Sequence, residues 1–168
     1  MAKKHPTYKN AWYAMAAARI MLGFVFLWAF LDKTFGLGLS TSSDHAWIVG
    51  GSPTYGFLMF GVNPDSPMAD FFAGLAGLAW VDWLFMLGLL GIGLALILGI
   101  GLRIAAVTGT ILLMSMWAAA NPLENNPLVD EHLIYAVMLW VFAFSRREWS
   151  LTDWWLSQKS IKKLPWLW

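Results

Sequence analysis

Twenty residues from Trp12 to Leu31, WYAMAAARIMLGFVFLWAFL, carry one charge, Arg19. At about 1.5 Å rise per residue such a helix is about 30 Å long, the hydrocarbon thickness of a bilayer. Three more apolar runs follow, at Trp83 to Gly101, Ile104 to Ala120, and His132 onward. Of the 168 residues, 59% are hydrophobic and 12% are charged, against about 25% charged in soluble domains. A chain this short and apolar cannot hide its surface from water, so its solvent is lipid. The expectation is an all-α integral membrane four-helix bundle forming a single domain over 1–168, with spans at about 12–31, 83–101, 104–120 and 132–147. An outer loop at 32–82 and a cytoplasmic tail at 148–168 complete it. Arg19 interrupts the first run and no small-x-small pattern follows Leu31, so that run reads as an uncleaved anchor rather than a signal peptide.

Charge placement sets an orientation. Lys3, Lys4 and Lys9 precede the first span, Arg103 sits between the second and third, and Arg146, Arg147, Lys159, Lys162 and Lys163 follow the fourth. All fall on one side, which the positive-inside rule makes cytoplasmic, with both termini there and the plasma membrane as location. The opposite side holds Asp32, Asp44, Asp65, Asp70, Asp82, Glu124, Asp130 and Glu131, with Lys33 as its one cation.

Three segments carry local signals. Ser52-Pro53 and Ser66-Pro67 in the outer loop each place a capping residue before a proline suited to the first helical turn, predicting two short apolar helices. They lie at the outer interface, fold over the bundle as a lid, or merely fill its mouth. Gly91, Ala95 and Gly99 recur at helical spacing, as do Ala105 and Gly109, and predict close helix contacts in lipid. Ser150 with Asp153 three residues later resembles a capping box, opening an amphipathic tail helix that Pro165 ends. Its Trp154, Trp155 and lysines read as an interfacial anchor or, alternatively, a docking surface.

The candidate site is drawn from the charges that lipid penalises. Arg19 either snorkels to headgroups or turns inward onto an anionic or carbonyl group. Asp32 is expected at the interface, marking the end of the first span. Lys33 lies about 100° further round the helix and is expected to turn toward Asp82 or Asp130 at the bundle mouth. Asp130 and His132 begin the fourth span, with Tyr135 one turn on. His132 is suited to donating hydrogen bonds and taking up protons near neutral pH. The absence of cysteine removes disulfides, iron–sulfur clusters and cysteine zinc sites. No helical pair of metal ligands is present, no histidine lies within the body of an apolar run (His132 only begins the last one), and no flavin motif occurs, so no haem, flavin or metal is expected. A formal net charge of +1 gives no basis for nucleic-acid binding.

The segments RIMLGFVFLWAFLDKTFGLG, AWIVGGSPTYGFL, DWLFMLGLLGIGLALILGIGLRIA and NPLVDEHLIY together resemble the DoxX family of small four-span prokaryotic membrane proteins. The resemblance rests on an arginine followed by Leu-Gly in the first span, a lysine at its outer end, and a Gly-x-x-x-Arg turn, here Gly99 to Arg103. It implies a membrane subunit of a quinone-linked oxidoreductase of the thiosulfate:quinone oxidoreductase type, with quinone near the outer face. Arg19, Lys33 and Arg103 match the motif. Many members carry a glutamate early in the second span where this chain reads MLGLL, and Asp82 is the nearest carboxylate. On this expectation Asp82 and His132 are catalytic and Arg19, Lys33, Asp130 and Tyr135 bind ligand. Electrons come from a partner or directly from the substrate. The alternative is a non-catalytic adaptor or accessory subunit. Expected partners are the lipid bilayer and other protein subunits or further copies of the chain.

Overall fold

The computed structural model describes residues 8–145 and 147–163. Lys3, Lys4, Arg146 and Pro165, used above for orientation and for the end of the tail, lie outside the described residues. The chain forms α1 (Lys9–Phe35), two single-turn helices at Ser43–His45 and Trp47–Val49, a wide helical turn at Phe57–Gly61, and α2 (Ala69–Ala73). Then come α3 (Ala79–Leu98), α4 (Leu102–Ala120), α5 (Glu131–Phe144), α6 (Thr152–Ser157) and α7 (Lys159–Lys162). The described residues contain no strand.

Three helices, α1, α3 and α4, are long and apolar enough to cross a membrane. The fourth apolar helix, α5, has 14 residues, about 21 Å, short of the roughly 30 Å hydrocarbon core. Bulky residues such as Met21, Leu84, Ile111 and Val137 are exposed on these helices, an arrangement suited to lipid and costly in water.

Helix ends follow from particular residues. α1 stops where Gly36 turns left-handed (φ 64°) and its N–H bonds the Asp32 carbonyl. The second span was expected at 83–101, but α3 occupies Ala79–Leu98. It starts earlier because Asp82 fits the first turn, where the helix dipole favours an acid. It stops earlier because Gly99 (φ 70°) and Gly101 (φ 58°) both turn left-handed. The proline-led outer helices differ from expectation. Pro53 leads only into the wide turn at Phe57–Gly61, and α2 has five residues. The tail is not one helix: Gln158 is extended (ψ 128°) and divides α6 from α7. The residue at the start of α6 is Leu151, which cannot cap it; the Ser150 hydroxyl before it donates to the Arg147 carbonyl and accepts from the Thr152 N–H at 3.4 Å.

One buried cluster draws on α1 (Leu22, Phe26), α3 (Met86, Ile92), α4 (Ala106, Leu113) and α5 (Leu139, Phe142). α1 lies chiefly against α3 and α4 chiefly against α5, while α3 and α4 touch less. A second cluster joins Leu58 and Phe72 to Ala119 on α4. Backbone and side-chain donors of Asn63 and Ser66 cap the Ala119 and Ala118 carbonyls at 2.9 and 3.0 Å. The 57–76 segment is thereby fastened to the end of α4.

Glycines divide into two groups. A methyl at Gly93 would sit 2.8 Å from the Leu27 nitrogen, and one at Gly23 would sit 3.0 Å from the Gly93 carbonyl oxygen. This pair is the α1–α3 crossing. Gly109 packs α4 on α5, since a methyl there runs into Leu139. Gly91, expected in a packed stripe, faces open space instead: a methyl would meet nothing within 4 Å. Gly93→Val should therefore destabilise the protein by about 1–3 kcal/mol, the usual cost of overpacking. Gly91→Val should cost well under half of that, both measured by thermal unfolding in detergent.

Candidate functional site

Arg19 is buried, 3% exposed, and its guanidinium serves the chain's own backbone. It donates to the carbonyls of Leu96 and of Ile97 (3.2 Å) at the end of α3, and of Glu148 (3.0 Å) and Trp149 (2.9 Å) before α6. The location follows from the helix crossing. Gly23 faces Gly93, so one turn back along α1 brings Arg19 to the last turn of antiparallel α3. Helix C-termini leave their last carbonyls without intrahelical partners and carry partial negative charge. Here Arg19 takes Leu96 and Ile97, the Leu151 N–H takes Leu98 at 2.8 Å, and the Thr152 hydroxyl takes Gly99 at 2.6 Å. Gly99 has no room for a side chain, since a methyl there would run into Ser150 and lie 2.9 Å from the Arg19 guanidinium. Of the two expected arrangements Arg19 adopts the second: it turns inward onto carbonyl groups rather than snorkelling, with its donors directed at four backbone carbonyls.

Both carboxylates near the other end of α1 and α3 fasten loops. Asp32 lies in the last turn of α1 and is 1% exposed. It accepts from the Leu39 and Ser40 N–H groups at 3.3 and 3.0 Å and from the Ser40 hydroxyl at 2.6 Å, so it organises the turn after α1. Asp82 is buried and accepts from the Ser52 hydroxyl (3.0 Å), the Thr54 N–H (3.0 Å) and the Thr54 hydroxyl (2.6 Å). Ser52, read above as a helix cap, is thus an Asp82 partner. Nothing in the sequence marked Thr54 beyond its place beside Pro53.

Lys33 does not meet either carboxylate. Among the described residues the ion-pair contacts are His45 with Asp44 and His132 with Asp130, and none involves Lys33. The expected pair with Asp82 or Asp130 fails because both acids are already satisfied by nearer donors. Lys33 instead borders a groove of about 950 Å³ between α3 and α4. At the Lys33 end the wall includes Pro53, Thr54, Phe57 and Phe71. At the far end it reaches Gly101 in the α3–α4 turn and Trp155 on α6. Between these ends the walls are almost wholly apolar, and Lys33 is the one charged residue in them.

Asp130, His132 and Tyr135 lie elsewhere; none borders the groove. Asp130 caps α5 by accepting from the His132 and Leu133 N–H groups at 3.0 and 3.2 Å, and its other oxygen meets the His132 ring at 2.7 Å. Burial raises the Asp130 pKa, but the His132 ring and the two backbone donors outweigh it, so the carboxyl titrates below its ordinary range. Asp130, Glu131 and His132 could approach a common ion, although the cap already occupies Asp130. The Tyr135 ring packs against the main core. The sequence-derived site residues therefore form three separate groups: the Arg19 clamp, the Lys33 mouth beside Asp82, and the Asp130–His132 cap. Gly88 and Gly91, which open the groove, were not among them.

No family model, curated protein or solved structure matches the chain.

Two outcomes are expected. Arg19→Leu should lower stability in detergent by at least about 3 kcal/mol, since hydrogen bonds to charged groups contribute about 1.5–3 kcal/mol each. Arg19→Lys should lose nearly as much, because an ammonium cannot span both carbonyl pairs. For Asp130, a depressed folded pKa means stability that is present above the ordinary carboxylate range and lost as pH falls through the folded value. Asp130→Asn should flatten that acid-side decline, which sets in below about pH 5 and continues below the ordinary aspartate value of about 3.9, in thermal scans.

Proposed function

We propose that the chain is the membrane subunit of a quinone-linked oxidoreductase, a four-helix bundle with both termini cytoplasmic that binds quinone near its outer face. One observation carries this reading: an apolar groove along two helices, with a single ammonium at one mouth. A quinone needs an apolar bed for its tail and a donor for its ring carbonyl, and Lys33 supplies the donor. The sequence resemblance described above supports the same reaction class.

Reducing a quinone to the quinol takes two electrons and two protons. Thr54 is the residue that both borders the groove and donates to Asp82. In this reading protons reach the ring by way of Thr54, with Asp82 as the carboxylate behind it. His132 lies outside the route. The electrons come from a reduced sulfur donor such as thiosulfate or from a partner subunit that draws on one.

In membranes supplied with thiosulfate, wild type should reduce added decylubiquinone, and Lys33→Met should weaken quinone binding about tenfold, about 1.4 kcal/mol. Purified protein that binds no quinone rejects the reading and favours a non-catalytic accessory subunit. For orientation, a cysteine at Ser43 should react with an impermeant thiol reagent in intact cells and one at Ser160 should not. The reverse pattern rejects the proposed topology.

A further inference from the structure

Small residues on membrane helices ordinarily mark places where helices touch. Here that work belongs to Gly23, Gly93 and Gly109, each of which has a neighbour against it. Gly88 and Gly91 border the groove, and a methyl at either would meet nothing within 4 Å. On α3 the groove follows one face through Val81, Leu84, Gly88, Gly91 and Ala95. From Val81 to Ala95 this is about 21 Å. At its end the chain reverses through two left-handed glycines, Gly99 and Gly101, which hold α3 and α4 together there. At the Lys33 end the 52–75 segment contributes Pro53, Phe57 and Leu75 to the wall. The result is a long slot with a cation at one end and a glycine notch midway.

We infer that this slot binds the isoprenoid or alkyl tail of the quinone, and that Gly88 and Gly91 determine which tails fit. The inference rests on the quinone reading above and adds where the tail lies and what selects it. The occupant is one long-chain amphiphile, a quinone, whose ring carbonyls accept hydrogen bonds. Lys33 argues for that headgroup: it has no ion-pair partner among the described residues, and it stands at the end of an apolar track. Moving a tail from bilayer to groove yields little hydrophobic gain, because lipid is equally apolar. Discrimination must come from shape, through close contact along the notch. A side chain grown from Gly88 or Gly91 would occupy the notch without disturbing the packed helix faces.

The test uses the full-length protein in phosphatidylcholine nanodiscs. Trp80 and Trp155 border opposite ends of the groove, so quinone binding is read by quenching of tryptophan fluorescence. The probes are decylubiquinone and the same ring without a tail. Gly88→Leu and Gly91→Leu should each weaken decylubiquinone binding about tenfold, the usual scale for a blocked hydrophobic subsite. Tail-free binding should stay within about twofold, and melting temperatures should be unchanged. Bilayer partitioning is the same for all variants and cancels. If both variants bind decylubiquinone as wild type does, the tail lies elsewhere and the inference is overturned while the quinone reading stands. If both lose the two probes equally, the glycines do not select tails and the inference is likewise overturned. If wild type binds neither probe, the quinone reading falls and takes this inference with it.

Discussion

A guanidinium placed about 10 Å into the apolar run that begins at Trp12 needs enough partners to replace water, and the rest of the architecture follows from how Arg19 finds them. Helix C-termini are the richest local source of unpaired carbonyls. The end of α3 supplies Leu96 and Ile97, and the segment before α6 supplies Glu148 and Trp149. One side chain thus fastens three parts of the chain far apart in sequence. Gly99 is required at the same point because the guanidinium and Ser150 leave no space for a Cβ.

The opposite end of α1 and α3 is organised by anions rather than a cation. Asp32 gathers Leu39 and Ser40, and Asp82 gathers Ser52 and Thr54. A buried carboxylate is tolerable when several short donors point at it. With both acids held in this way, neither forms an ion-pair contact with the neighbouring ammonium. Lys33 is left facing the groove, and the candidate site exists because of that allocation of partners.

Glycine serves opposite ends in this protein. Where Gly23 meets Gly93, its missing side chain lets two backbones approach. At Gly88 and Gly91 the same absence leaves a notch. Spacing alone cannot separate the two uses, since both repeat at helical intervals. What separates them is whether another helix crosses at that height, and the α1–α3 crossing takes Gly93 and leaves Gly91 outside.

The sequence by itself determined the helical class and the three membrane-length helices, with limits a few residues off, because run length and composition act locally. It also marked Arg19, Asp32, Lys33 and Asp82 as the residues that lipid would penalise. Only the tertiary structure decided what each does. Arg19 went to backbone carbonyls near residues 96 and 148, which are invisible to any reading of side-chain types. Asp32 went inward because Ser40, eight residues on, folds back over it. The Asp130–His132 pair lies in one local motif, yet its distance from the groove depends on α5 packing against α4 rather than α3. Local segments obey the periodicity of the chain. The partner of a buried charge is whichever donor or acceptor the helix crossings bring nearest, and that choice is made by packing.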